Sequence, residues 1–205
     1  MGAGNSKVDP ELWSGTDENL ATMIMPLYYV HDVIVTDSDI SGCFSCWQTV
    51  VDGKAPAYIE DSDPNKPSGL VWFSNVFYGR LFDVNPEAKK LFRDNNETKA
   101  RALGNIISTG LRQIWDRANF SKILHGIAVS HCKLGVKAIQ YGLVGDVLLW
   151  SFAYTMKDMW DQDLRTSWIA VYSGMLRVVI PHAVGEERKK YRALKKAEDD
   201  DGGDA

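Results

Sequence analysis

A chain of 205 residues is long enough for one domain with a sizeable core, and 45% hydrophobic with 24% charged residues is ordinary for a globular protein. A net charge of −4 shows no basic excess, which excludes general nucleic-acid binding. Cys43, Cys46 and Cys132 make no secreted disulfide framework and fit a reduced, cytoplasmic setting.

Residues 1–35 read as an N-terminal extension. It opens on MGAGNS, which matches the M-G-x-x-x-[ST] pattern of N-myristoylation; the competing reading is an unmodified leader. The apolar stretch 20–35 is broken by Pro26, His31 and Asp32 and is too short to span a bilayer, so no segment reads as membrane-spanning. From Ile40 the chain keeps helical time, with Cys43, Phe44, Trp47, Val50 and Val51 on one stripe and Asp37 or Ser38 as cap. On one helix Cys43 and Cys46 hold their β-carbons about 5–6 Å apart, too far for an unstrained bridge. They read as two small buried hydrophobes.

Residues 52–69 carry three prolines and two glycines and read as a loop. A dense apolar helix follows over 70–84, then a short helix opened by Pro86. Residues 97–115 set Ala100, Leu103, Ile107, Gly110 or Leu111, and Ile114 on one face. Phe120, Ile123, Leu124, Ile127, Ala128 and His131 repeat the pattern. Two further amphipathic helices cover 137–156 and 166–180, the second with Trp168, Val171, Tyr172, Met175, Leu176 and Val179 at helical spacing. No strand-like alternation competes, so the expected class is all-α, with the domain over 36–184. The tail, 185–205, is basic and then acidic and reads as a solvated helix end that frays.

The stretch ILHGIAVSHCKLGV (123–136) sets two histidines into this pattern. His131 falls on the buried stripe; His125, next to Leu124, points off it. A histidine on an apolar face is either a hydrogen-bonded core residue or a ligand. The four histidines (31, 125, 131, 182) show no zinc spacing, and no HExxH, P-loop, GxGxxG or nucleophile elbow is present. One buried imidazole among apolar walls suits an iron whose in-plane ligands come from a cofactor, as in haem.

VFYGRLFDVNPEAKKLF (76–92), LHGIAVSHCKLGVKAIQYGLVGDVLL (124–149) and Trp47 in SCWQTV together resemble the globin family over residues 37–182. Single-domain bacterial haemoglobins, the haem domain of flavohaemoglobins and neuroglobin-like proteins are the nearest groups. The resemblance implies a three-over-three helical sandwich around haem b. It implies His131 as iron ligand, Phe92 stacked on the cofactor, Tyr78 as a hydrogen-bond donor to bound gas, and Leu103 and Val136 in the pocket. Lys99 falls where the family usually has glutamine or histidine. Three roles stay open for it: a solvated ammonium turned outward, a cationic donor to bound ligand, or a neutral iron ligand.

Tyr141 matches a tyrosine that orients the ligating histidine, whereas an ungapped last helix puts Ala183 where flavohaemoglobins carry a glutamate. Glu186 is the substitute if the helix end is shifted. The resemblance implies reversible binding of dioxygen, nitric oxide and carbon monoxide. It also implies conversion of nitric oxide to nitrate, which here is expected to need an external reductase. A third expectation is membrane-linked redox or gas sensing, through acylated Gly2 and the basic run Arg188, Lys189, Lys190, Arg192, Lys195 and Lys196.

Overall fold

The computed structural model describes residues 17–92, 95–114 and 116–201, so Gly2 and Ser6 of the acylation pattern lie outside it. Eight α-helices follow in chain order among these residues: α1 (Asp17–Met23), α2 (Asp37–Val51), α3 (Pro56–Glu60), α4 (Gly69–Val84), α5 (Asn96–Gln113), α6 (Arg117–Lys133), α7 (Gln140–Met156) and α8 (Gln162–Asp201). A 3₁₀ helix over Pro86–Leu91 joins α4 to α5, and no strand occurs among the described residues.

Helix starts follow from side chains that satisfy the first free N–H groups. The α2 cap is Thr36, one residue before those expected: its hydroxyl accepts from Asp39 N while the Asp39 carboxylate accepts from Thr36 N. Asn95 caps α5 and Asp116 caps α6 in the same way. The segment read as loop contains α3. Pro56 opens it, because proline's fixed φ and missing N–H cost nothing at a first helical position.

Helix α8 runs on from the expected core segment, through Pro181, to Asp201. The boundary placed at residue 184 is therefore not an end of an element, and residues 191–197 form an exposed helical extension. Gln162–Ala197 is long and apolar enough to cross a membrane by length and composition. Its apolar side chains Trp168, Val171, Leu176 and Ile180 are those of the protein core, however.

Two hydrophobic cores share this helix. One is aromatic: Trp168 stacks on Phe152 with ring centroids 4.2 Å apart, and Phe152 meets Phe73 at 4.9 Å. Trp47 packs edge-on against Phe73, and its Nε1 donates to Ser108 Oγ at 2.9 Å. Cys43 and Cys46 are free thiols buried in this core, and burial pushes Cys46 up to about 12. The second core joins Phe120, Leu124, Ala128, Tyr141, Leu176 and Ile180, with Ala21 of α1 pressed onto it. Two glycines allow the helices this close. A Cβ at Gly69 would strike the backbone of Val50 and Gly53, and one at Gly145 would overlap Tyr28 and Tyr172.

Candidate functional site

Between the two cores lies an apolar cavity. Its walls come from α4 (Phe77, Tyr78, Leu81), α5 (Leu103, Ile106, Ile107), α6 (Leu124, Ile127, His131), α7 (Tyr141, Val144, Leu148) and α8 (Trp168, Tyr172, Met175, Leu176, Val179), with Phe92 from the connection after α4. Each helix contributes residues three, four or seven apart, the stripe a helix turns toward one neighbour.

His131 is the nitrogen donor of this lining. Burial lowers its pKa below the ordinary histidine value, so the ring is held neutral. Its Nδ1 lies 2.9 Å from Tyr141 Oη. In the tautomer with its proton on Nδ1, that N–H donates to the phenol oxygen and Nε2 keeps a lone pair for another ligand. Burial first, and then the neighbouring Cys132 and Glu187, hold the Tyr141 phenol un-ionised. Behind it, Glu187 of α8 accepts a hydrogen bond from Ala138 N, and burial raises this carboxyl above its ordinary value. Tyr172 Oη donates to the Tyr141 carbonyl and Tyr28 Oη to the Gly142 carbonyl, both at 2.9 Å, which anchors the start of α7.

The α4 side is built of rings instead. Tyr78 meets Phe92 at 4.9 Å and Phe77 at 5.1 Å, and Phe82 packs against both Tyr78 and Phe92 at 5.9 Å. Lys99, in the first turns of α5, sets its ammonium 5.4 Å from the Tyr78 ring centroid and 5.9 Å from that of Phe82.

A half-buried, neutral imidazole steered by a phenol into an apolar slot is a built ligand position, and a family model described as Globin matches residues 75–179 around it. The chain belongs to the globin family. The flavohemoprotein of Bordetella pertussis is 30% identical over 120 residues, covering 57% of this chain and 29% of that protein. That of Bacillus subtilis is 27% identical over 157 residues, covering 75% of this chain and 38% of the relative. This globin thus spans between 29% and 38% of the length of these two relatives. A bacterial globin structure from Campylobacter jejuni superposes with a TM-score of 0.55 at 22% identity, over 72% of this chain and 96% of that one, and shares the fold.

Of the residues singled out in the sequence, the cavity of this globin brings together His131, Tyr141, Tyr78, Phe92 and Leu103. Lys99 is outside the lining: its ammonium lies over the rings of Tyr78, which lines the cavity, and Phe82, which does not, and it is not turned wholly to solvent. Val136 is also outside. It packs against the second core, with its N–H donated to the His131 carbonyl at 3.0 Å.

Ala183 is buried in the same core as Tyr141 and supplies no carboxylate, as the resemblance implied. Glu186 pairs with Lys189 and faces His125; Glu187, one helical turn past Ala183, lies near the Tyr141 phenol and accepts from Ala138 N. Sequence reasoning also passed over Trp168, Tyr172, Met175 and Val144 as site residues. The first three sat on a predicted core stripe, and only the packing shows that the stripe faces a cavity.

Proposed function

We propose that the cavity holds haem b on His131 Nε2 and that this globin reversibly binds dioxygen and other diatomic gases, including nitric oxide and carbon monoxide. Globin membership implies haem binding, and the residues present suit it. The lining offers one imidazole nitrogen, carries no carboxylate or thiol beside it, and is otherwise hydrocarbon and aromatic rings with two phenols besides Tyr141. The observation that carries the reading is the His131–Tyr141 contact, which orients the ring and, with the proton on Nδ1, leaves Nε2 as the better donor.

Bound there, the cofactor supplies an iron coordination position for the gas. The chain does the rest. Tyr78 offers a phenolic hydroxyl able to donate to a polarised diatomic ligand, while Phe77, Phe92 and Leu103 keep water out. Absorption spectra of the purified protein test this: a Soret band that shifts on reduction and on carbon monoxide is expected. A His131→Ala variant that keeps the parent spectrum would overturn it.

One observation favours a second reading, nitric oxide dioxygenation. A phenol that accepts a hydrogen bond from Nδ1–H raises the electron-donating power of a ligating imidazole. Nitric oxide, dioxygen and one electron give nitrate, so each turnover draws an electron from a reductase. Repeated turnover with a generic reductase supports this; a single stoichiometric event supports gas binding alone. The exposed basic stretch of α8, with Arg192, Lys195 and Lys196, supports a further reading, attachment to an anionic membrane surface together with an acylated Gly2. Unchanged vesicle binding by a Gly2→Ala variant removes it.

A further inference from the structure

His125, the histidine that points away from the cavity, is not alone on its face of α6. His182 and Glu186, four residues apart on α8, share one helix face and stand opposite it. The two imidazole rings lie 4.8 Å apart, tilted by 39°, neither stacked nor edge-on. His125 Nε2 is 3.7 Å from Glu186 Oε1. That is long for a hydrogen bond but close to the roughly 3.4 Å between two ligand atoms held tetrahedrally around zinc at about 2.0–2.1 Å.

We infer that His125, His182 and Glu186 form a binding site for a divalent transition-metal ion that clamps α6 to α8. Among the described residues no three such side chains are already gathered as a metal cluster, and here the reason is visible. Lys189 Nζ takes Glu186 Oε1 at 2.6 Å and draws the carboxylate aside, while Ser121 Oγ lies 3.3 Å from His182 Nε2.

The metal replaces the lysine ammonium at the carboxylate, and Lys189, with its side chain 70% exposed, swings into solvent at little cost. The metal takes neutral imidazoles and an ionised carboxylate, so its uptake is favoured as pH rises from acid to neutral. Two imidazoles and one carboxylate, with water completing the shell, select zinc, copper or nickel over the oxygen-preferring magnesium and calcium. The site is independent of His131. Its consequence for the cavity is mechanical, since Leu124 and Ile127, which flank His125 on α6, line that cavity.

Isothermal titration of zinc chloride into the full-length protein as purified, at neutral pH, tests the site; zinc is redox-silent and leaves any iron in its own state. One site per chain is expected, weakened at least about tenfold by His125→Ala and by His182→Ala and tightened several-fold by Lys189→Ala. Far-UV circular dichroism and the thermal midpoint without zinc check that each variant is folded. The inference is overturned if a folded His125→Ala/His182→Ala double variant takes up zinc like the parent. It is also overturned if neither the parent nor Lys189→Ala binds zinc at about 100 μM.

Discussion

The two sides of the cavity are built on different principles. On the α6–α8 side, polar groups are strung across three helices: His131 on Tyr141, Glu187 on the Ala138 N–H, Tyr172 and Tyr28 on the α7 carbonyls. On the α4–α5 side, rings lean on rings, and the nearest charge, Lys99, stays outside them. A buried polar atom left without a partner costs roughly 1–3 kcal/mol, so placing an imidazole in a core obliges the chain to supply a matched acceptor at a fixed distance. Stacked rings carry no such obligation and tolerate displacement. The polar side therefore sets one geometry, while the aromatic side sets shape and dryness.

The comparison is broken hardest at His131. His131→Ala is expected to abolish the Soret band while helical content persists, because the aromatic side offers no second nitrogen to replace it; a retained band would mean that the sides are not distinct. Next in size is packing at the anchored end of α7. Gly145→Ala forces a methyl group onto Tyr28 and Tyr172 and should lower stability by about 1–3 kcal/mol in denaturant melts.

Tyr78→Phe probes the aromatic side for the single hydroxyl it is proposed to contribute. Losing one hydrogen bond of about 1–1.5 kcal/mol should speed dioxygen dissociation roughly tenfold. An off-rate that does not move assigns Tyr78 to packing alone.

A smaller effect separates Glu187 from its surroundings. Burial raises its carboxyl, so the folded state holds this proton more tightly than the unfolded chain does. The stabilisation is present below the unfolded value, about 4.3, and is lost as pH rises through the raised folded value. Relative to Glu187→Gln, the parent should therefore lose thermal stability as pH rises above about 4.3; parallel profiles would mean that burial does not make this carboxyl hold its proton. The smallest change in stability is expected from Lys99→Met, about 0.5–1 kcal/mol in denaturant melts, since the ammonium lies over ring faces of Tyr78 and Phe82 and outside the cavity lining.

Much of this was legible in the residue order because a helix converts spacing into direction. His131 follows Ala128, Ile127 and Leu124 by three, four and seven residues, and that alone turns it inward and sets His125 outward. Tyr141 was legible through the resemblance, ten residues further on. Glu187 was not: carrying the last helix across without a gap leads to Ala183. Only the course of α8 past Pro181 shows that the next turn brings a carboxyl group near Tyr141. Helix α3 was hidden for a local reason, since proline signals both a loop and the first residue of a helix.

What the sequence determined by itself was therefore most of the long helices and the face each turns to the core, since both depend on neighbours within two turns. Whether an apolar stripe closes on another or stops short to leave a cavity depends on distances between helices far apart in the chain. The same holds for Lys99, over the rings of Tyr78 and Phe82, and for His125, meeting His182 and Glu186 some 60 residues later. Those partners are chosen by packing, where Gly69 and Gly145 allow close approach and Trp47, Phe152 and Trp168 set the spacing.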